Sequence, residues 1–361
     1  MSKEYLNHAR EVLTSPYSVF KPGSKESGLI SLFGSQNAHD LSQGLPLLTT
    51  RQMFARSGIH ELVWFLRGDT NIKYLEQNKV PFWRKDAFEH NVDTMVARGI
   101  FSNDVLTKYS PAWDGALEEY ARRIIEEPGF AEEFGDAGPI YGKQWRAWTG
   151  NDGKPVDQVQ RMIEGLRKNP TGKKHIVNAW NPADVPDMSL PPCHVLYQAT
   201  SDGQGNMDLQ FYQRSCDIFL GVPFNIVSYA MLMHLISREA GLKDRRLVHT
   251  FGDAHFYTGL GARSQWYGDH FKELQAKVAA ISMDDPERHL EVLEWVNKNA
   301  PGNHNEVKYD HVSAVLEQLS RKPLPKPKLV VANKPLDELV FDDFQIEGYQ
   351  HHPKIVRSMA V

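Results

Sequence analysis

One of the two cysteines in this 361-residue chain, Cys193, lies in a context suited to nucleophilic chemistry. It stands in LPPCHVLYQ, where a Pro-Pro pair restricts the backbone ahead of an apolar, strand-like run. A thiolate becomes available when nearby cations lower the thiol pKa, and Arg214 in QFYQRSCD is one candidate cation. A free cysteine is more commonly a small buried hydrophobe. Cys193 is therefore either a nucleophile or a core residue.

A second polar group lies between Gln213 and Asn225. Arg214 and Ser215 precede a glycine turn and a helix start, a combination suited to gripping a phosphate. Asn225 is either a helix cap or an amide that faces a pocket. A pocket amide offers one donor and one acceptor, which matches the O4/N3–H edge of uracil, whereas cytosine would suit an aspartate.

Three further residues have types that suit binding or proton transfer. His255 and Tyr257 in GDAHFY are two apart, so in an extended segment they share one face and can reach sugar hydroxyls. The alternative for His255 is a structural histidine. Glu61 stands in the apolar segment HELVWFL, where desolvation would raise its carboxyl pKa toward the proton-transfer range. Its alternative is a glutamate that faces solvent.

The elements that must position these residues follow from the hydrophobic periodicity. Amphipathic helices are predicted over 3–13, 57–67 and 156–168. Strand-like runs cover 29–33, 175–180, 195–200, 207–213 and the tail from 328. The longest apolar stretch, Gly221–Ala240, predicts a central buried helix rather than a membrane span, because Asn225, His234 and Arg238 interrupt it.

Two polar, helical segments, 89–135 and 261–318, have the composition of insertions on the surface of a core. No Gly/Ser-rich or Pro-rich linker divides the chain, so a single catalytic domain over 1–361 is expected. Strands and helices mix without regular alternation, which favours an α+β fold over a doubly wound sheet.

The composition is that of a globular protein with a net charge of −4. That balance gives no global attraction to nucleic acid or to an anionic membrane, so neither DNA nor a membrane is an expected partner. Two cysteines make no disulfide framework, and the N-terminus lacks the apolar core of a signal peptide; both indicate a cytoplasmic protein. No Cys/His cluster suggests a metal, and no Walker or Rossmann glycine pattern occurs.

Six segments, in the order in which they occur, resemble the thymidylate synthase family: HELVWFLRGDTNIKYL, GPIYGKQWRAW, LPPCH, YQRSCDIFLGVPFNIVSYAML, GDAHFY and DFQIEGY. The resemblance covers most of the chain outside the two helical segments. It implies a homodimer of α+β fold, with a twisted mixed sheet packed against its partner. It also implies a one-carbon transfer from 5,10-methylenetetrahydrofolate to C5 of a pyrimidine nucleotide.

The resemblance further implies a role for each matching residue. Cys193 is similar to the nucleophile that adds to C6, Glu61 to the carboxylate that organises water and proton transfer, and Tyr141 to the tyrosine near C5. The implied nucleotide ligands are Arg214, Ser215, Asn225, His255 and Tyr257. The implied folate ligands are Trp83, Asp217, Leu220, Gly221 and Phe224, with Met359, Ala360 and Val361 closing over the folate.

Three positions depart from the family pattern. The loop that usually carries a phosphate-binding arginine reads Gly23 to Gly28 without one. Lys173 and Lys174 stand where a partner subunit usually donates two arginines; lysine keeps the charge but loses the bidentate fork, so phosphate binding relies more on Arg214. Asp86 replaces a tryptophan found in many members, a change that would make the folate pocket wetter.

Asn225 favours uracil over cytosine, and together with the resemblance this implies reductive methylation of dUMP to dTMP, with dihydrofolate as the second product. The alternative is a hydroxymethylase that adds water instead of a hydride, acting on dUMP or another pyrimidine nucleotide. A relative that binds nucleotides without turnover is disfavoured, because a scaffold needs no nucleophile beside a base-reading amide. A cysteine hydrolase ranks last, because no His/Asn pair in a protease context accompanies Cys193.

Overall fold

The computed structural model describes residues 2–23, 27–108 and 110–359. Thirteen α-helices lie within these residues: α1 (Ser2–Thr14), α2 (Ala55–Leu66), α3 (Lys73–Gln77), α4 (Arg84–Ala97), α5 (Pro111–Glu126), α6 (Pro128–Phe134), α7 (Tyr141–Ala147), α8 (Gln158–Lys168), α9 (Gly221–Ala240), α10 (Gly261–Ala279), α11 (His289–Asn299), α12 (His304–Val307) and α13 (His311–Leu319). Short 3-10 helices include Pro81–Trp83 and Leu336–Glu338.

Ten strands lie within the same described residues: β1 (Val19–Lys21), β2 (Leu29–Asp40), β3 (Trp148–Thr149), β4 (Pro155–Val156), β5 (Ile176–Asn178), β6 (His194–Ser201), β7 (Asn206–Asp217), β8 (Lys243–Tyr257), β9 (Lys328–Val331) and β10 (Phe344–Glu347). The chain divides into two compact units. The first comprises 1–55, 199–331 and 344–361, and the second comprises 56–198 and 332–343.

The first unit is built on a mixed sheet. Strands β1, β2 and β8 pair antiparallel in that order, and β7 pairs parallel with β8. Parallel neighbours need a crossover connection, which α9 supplies, and this helix packs on both strands. The parallel register sets Asp217 beside His255, so the carboxyl ends of β7 and β8 meet at one edge with the start of α9.

Helix α9 is the central apolar element of the first unit, as its composition predicts. Most of its side chains are buried, and it ends at Gly241, whose φ of 73° is the left-handed conformation that glycine adopts most easily. Under the sheet, the rings of His8, Phe251 and His249 stack in sequence, with centroid separations of 3.9 and 3.7 Å. This core supports strands β7 and β8, which carry Asp217 and His255 at their carboxyl ends.

The second unit contains α2–α8 and the short strands β3–β5. Strand β5 pairs antiparallel with the first part of β6, which continues into the first unit at Ala199. Aromatic side chains fill its centre: the Phe65 ring lies 4.8 Å from Tyr141 and 5.5 Å from Trp145. Because Leu62, Val63 and Phe65 of α2 are buried, close packing holds in place the helix that carries Glu61.

The α+β fold with a mixed sheet is confirmed. Both segments predicted as helical insertions, 89–135 and 261–318, are helical. The first segment does not lie only on the surface, because it contributes Trp113 and Tyr120 to a buried aromatic cluster. Their rings lie 4.9 and 5.3 Å from the ring of Phe88. None of the helices in the described part of the chain is long and apolar enough to cross a bilayer.

Candidate active site

Cys193 lies immediately before β6, in the second unit. Its backbone N–H donates to the Tyr141 hydroxyl oxygen at 2.7 Å, and the His194 N–H donates to the same oxygen at 3.3 Å. The Tyr141 ring stacks on His194 at 4.3 Å. The cysteine is half-buried rather than sealed in the core. Two of the predicted site residues, Tyr141 and Cys193, are therefore held in direct contact.

Glu61 lies on α2 in the same unit, half-buried rather than turned fully to solvent. The indole N–H of Trp83 donates to its Oε1 at 2.9 Å. Burial raises the pKa of the Glu61 carboxyl to about 7, and this hydrogen bond opposes the rise. The Trp83 ring lies 5.9 Å from Tyr141, so Glu61, Trp83, Tyr141 and Cys193 form a connected cluster. A carboxyl of this pKa can exchange protons near neutral pH.

Asp217 ends β7 in the first unit, where the chain turns into α9. The backbone N–H groups of Phe219 and Leu220 donate to its Oδ1 at 3.0 and 2.9 Å. Its Oδ2 is buried and has no hydrogen-bond partner among the described residues. Although burial opposes it, the charge of His311 holds the pKa of Asp217 below its usual range. An ionised carboxylate with one oxygen still available is suited to accept an N–H from a ligand.

Asn225 stands on the second turn of α9, and the helix begins after Leu220 without a side-chain cap. The reading of Asn225 as a helix cap is therefore wrong. Its Oδ1 accepts from the Gln213 side-chain amide at 3.1 Å, which fixes the orientation of the amide. Gly221 leaves room beside it, because a Cβ there would lie 3.7 Å from this oxygen and 3.9 Å from Asp217.

His255 and Tyr257 share one face of β8, as their spacing predicts, with ring centroids 5.5 Å apart. His255 Nδ1 lies 3.1 Å from the Asp253 carbonyl oxygen and 3.7 Å from its carboxylate. Asp253 also contacts Ser31 and, at 2.5 Å, Lys21, and these partners hold its pKa well below the usual range despite its partial burial. Asp253, itself held by Lys21 and Ser31, therefore fixes the position of His255.

Arg214 and Ser215 are half-buried on β7, close to Asp217. Strand β8 approaches them closely at Gly252, where a Cβ would lie 2.7 Å from the Arg214 carbonyl oxygen. Only glycine permits this approach. The expected pairing of Arg214 with Cys193 joins residues of different units and stays a prediction.

The remaining predicted residues belong to both units. Lys173 and Lys174 are exposed between α8 and β5, where the Gln198 amide donates to the Lys173 carbonyl oxygen at 3.1 Å. Asp86 lies in the first turn of α4, and burial raises its pKa to about 6. Leu220 and Phe224 flank Gly221 at the start of α9. Ala360, Val361 and the loop residues 24–26 lie outside the described residues.

Two residues of this edge have no counterpart among the sequence-based predictions. Arg51 is buried, its guanidinium 4.3 Å from the Phe219 ring and hydrogen-bonded to the Phe219 carbonyl. His311 is fully buried, with Nδ1 3.4 Å from Asp217 Oδ1. The burial of a single arginine cannot be predicted from hydrophobic periodicity. The contact between His311 and Asp217 cannot be predicted either, because the two residues are far apart in the sequence.

Comparison with known proteins agrees with the site chemistry. The sequence model of the thymidylate synthase family matches residues 3–361. The chain is 37% identical over 365 residues to a thymidylate synthase of Mesoplasma florum, covering 99% of this chain and 100% of that protein. It is 37% identical over 367 residues to one of Listeria monocytogenes, again covering 99% and 100%.

Each match spans nearly the whole of both chains, so the matched range includes residues 89–135 and 261–318. The relatives bear the name of the methylating enzyme, which favours methylation over hydroxymethylation. The chain belongs to the thymidylate synthase family.

Proposed function

We propose that the residue sets described above carry out the reductive methylation of dUMP by 5,10-methylenetetrahydrofolate, as one catalytic domain over 1–361. The observation that carries this assignment is the cluster of Cys193, Tyr141, Trp83 and Glu61. A half-buried thiol fixed beside a tyrosine, with a carboxyl of pKa about 7 in the same cluster, provides a nucleophile and a proton-transfer group together.

The first unit supplies the groups that recognise the nucleotide. Arg214 and Ser215 bind the phosphate, since a guanidinium and a hydroxyl both donate to phosphate oxygens. Asn225 reads the uracil edge: its amide nitrogen donates to O4, and its oxygen, already fixed by Gln213, accepts from N3–H. His255 and Tyr257 hold the 3′-hydroxyl of the deoxyribose.

Cys193 begins the reaction by forming a bond to C6, and the C5–C6 double bond gives up its electrons to make C5 nucleophilic. The negative charge that develops at O4 is stabilised by the Asn225 amide and by a water held on Glu61. Glu61 then moves protons between this water and the base, for which its raised pKa is matched to neutral pH. C5 bonds to the transferred carbon and loses its proton, and the folate nitrogen leaves that carbon. In the last step a hydride adds to the same carbon, the C5–C6 double bond reforms, and Cys193 leaves C6 as a thiolate.

The folate supplies the carbon and then a hydride. The chain fits such a ligand, because the buried Oδ2 of Asp217 is an acceptor without a partner among the described residues and can take an N–H of the pterin ring. Gly221 leaves the space next to Asp217 unfilled. Trp83, Leu220 and Phe224 supply apolar surface, and the family resemblance assigns Ala360 to the folate ligands.

We further propose a homodimer that joins through the open face of the first unit's sheet. On this face, Gln36 and Gln210 both donate to the Thr250 hydroxyl, at 2.8 and 2.9 Å, and the glutamines are exposed. The family resemblance implies that the exposed Lys173 and Lys174 of one subunit contribute to the phosphate site of its partner. The low cysteine content fits an enzyme of the reducing cytoplasm.

Product analysis tests the assignment. Purified protein supplied with dUMP and methylenetetrahydrofolate should yield dTMP and dihydrofolate, resolved by mass spectrometry. Cys193→Ala should abolish product, whereas Cys216→Ala, which removes the other thiol, should retain it. Recovery of 5-hydroxymethyl-dUMP with tetrahydrofolate would contradict the methylating assignment, and UMP and dCMP run in parallel report the choice of sugar and base.

A further inference from the structure

Asp310 and His311 begin α13 and lie fully buried in the first unit. The Asp310 carboxylate caps the helix by accepting the Ser313 N–H at 3.0 Å. Its other oxygen takes the guanidinium of Arg263 at 2.7 Å and the hydroxyl of Tyr267 at 2.9 Å, both from α10. A buried ion pair with this many partners fixes the first turn of α13 rigidly.

The C-terminal tail, defined here as His351–Met359, is fastened to this turn. Arg357 donates through Nε to the Asp310 carbonyl oxygen at 2.8 Å and through Nη2 to the Ser313 hydroxyl at 3.2 Å. The Ser358 N–H donates to the Lys308 carbonyl oxygen at 2.8 Å. The tail is therefore held to the first turn of α13 by both backbone and side-chain contacts.

His311 joins the tail to Asp217. One ring nitrogen, Nε2, lies 2.9 Å from the Ser358 carbonyl oxygen, and the other, Nδ1, lies 3.4 Å from Asp217 Oδ1. A carbonyl oxygen only accepts hydrogen bonds, so the hydrogen of the Ser358 contact lies on Nε2. The ring is held on its sides by Tyr257 at 5.2 Å and Phe219 at 5.3 Å.

These contacts decide which oxygen of Asp217 is available. Oδ1 faces His311 and accepts the N–H groups of Phe219 and Leu220, while Oδ2 has no partner among the described residues. Without His311, Oδ1 keeps the Phe219 and Leu220 N–H donors but loses its contact with a second, buried side chain. Its orientation toward a ligand would then be less well fixed.

We propose that His311 is a positioning residue that couples docking of the C-terminal tail to the orientation of Asp217. The inference rests on the proposed function, in which Asp217 binds the folate. A docked Ser358 carbonyl holds His311 in place, and His311 in turn holds Oδ1, so that Oδ2 points to the ligand. A ligand on Asp217 stabilises the docked tail through the same contacts, because such coupling is reciprocal.

The test uses His311→Gln, Arg357→Gln and the matched control His289→Gln. His289 is likewise fully buried in the first unit, but its Nδ1 contacts the Pro286 carbonyl oxygen, away from the tail. Loss of the Ser358 hydrogen bond and of the Asp217 contact should raise the folate KM about tenfold in His311→Gln, with the dUMP KM unchanged. Carboxypeptidase should release Met359 faster from this variant, and His289→Gln should match wild type in both assays.

The two assays separate failure of this inference from failure of the proposed function. Carboxypeptidase digestion needs no activity, so it tests the tail contact even if the wild-type protein forms no dTMP. If His311→Gln does not fold, Arg357→Gln answers instead, since it releases the tail from a half-exposed position. Coupling also predicts that the double variant is no worse than the poorer single variant. The proposal would be overturned if both single variants had the folate KM and the rate of tail digestion of the wild type. Additive effects in the double variant would also overturn it.

Discussion

Replacing Glu61 by glutamine should stabilise the protein at high pH while it abolishes efficient turnover. Burial raises the Glu61 pKa from 4.5 to about 7, so between these values the folded chain binds a proton that the unfolded chain releases. The free energy of unfolding therefore falls as pH rises through this window. At about 1.4 kcal/mol per pKa unit, the loss is about 3 kcal/mol. Glutamine cannot ionise and keeps the oxygen that accepts from Trp83, so the variant escapes this loss.

Urea denaturation at pH 4.5 and pH 8 measures the effect. The difference in unfolding free energy between Glu61→Gln and wild type should shift by about 3 kcal/mol in favour of the variant between the two pH values. Glu132→Gln, at an exposed position of α6, is the matched control and should show no pH-dependent difference. A Glu61→Gln difference that stays constant across pH would refute the reasoning, because it would mean that the Glu61 carboxyl titrates normally.

Three further predictions concern other parts of the molecule. His39 is fully buried, neither of its ring nitrogens is bonded among the described residues, and burial lowers its pKa to about 3. The free energy of unfolding therefore falls as pH drops below 6.5, and His39→Leu should remove about 2 kcal/mol of that loss between pH 6.5 and 4.5, measured by urea denaturation. Mixing inactive Cys193→Ala with a Lys173→Ala/Lys174→Ala variant should restore about one quarter of wild-type activity, because half of the reassociated dimers carry one intact site; no restoration would contradict the partner's contribution. Asn225→Asp should shift preference from dUMP toward dCMP, read as the ratio of kcat/KM values, since cytosine reverses the hydrogen-bonding edge; an unchanged ratio would mean that Asn225 does not read the base.

Much of the fold follows from local sequence patterns. The run Gly221–Ala240 is apolar on nearly every face, and it forms the buried helix α9 in the first unit. His255 and Tyr257 share a face because β8 alternates with period two. The division into two units did not follow from the sequence, because no change of composition marks residues 55–56 or 198–199.

Part of the candidate site could be predicted from local sequence, and part depends on contacts between distant residues. Residue type and neighbours identify Cys193 and Glu61 without knowledge of the fold. The contacts that tune them come from distant residues: Tyr141 binds the backbone at Cys193, and Trp83 binds Glu61. His311 is the extreme case, because its contact with Asp217 spans a helical segment in which the sequence shows only a polar composition.

Mass spectrometry of the intact protein after incubation with 5-fluoro-dUMP and methylenetetrahydrofolate tests the central claim, that the Cys193 sulfur forms a bond to C6 of the pyrimidine. A fluorine at C5 cannot leave as a proton does, so the bond to sulfur should persist. The account predicts a chain that is heavier by one nucleotide and one folate in wild type and Cys216→Ala, and unmodified in Cys193→Ala. An adduct that survives in Cys193→Ala, or an active wild-type protein that forms none, would contradict it.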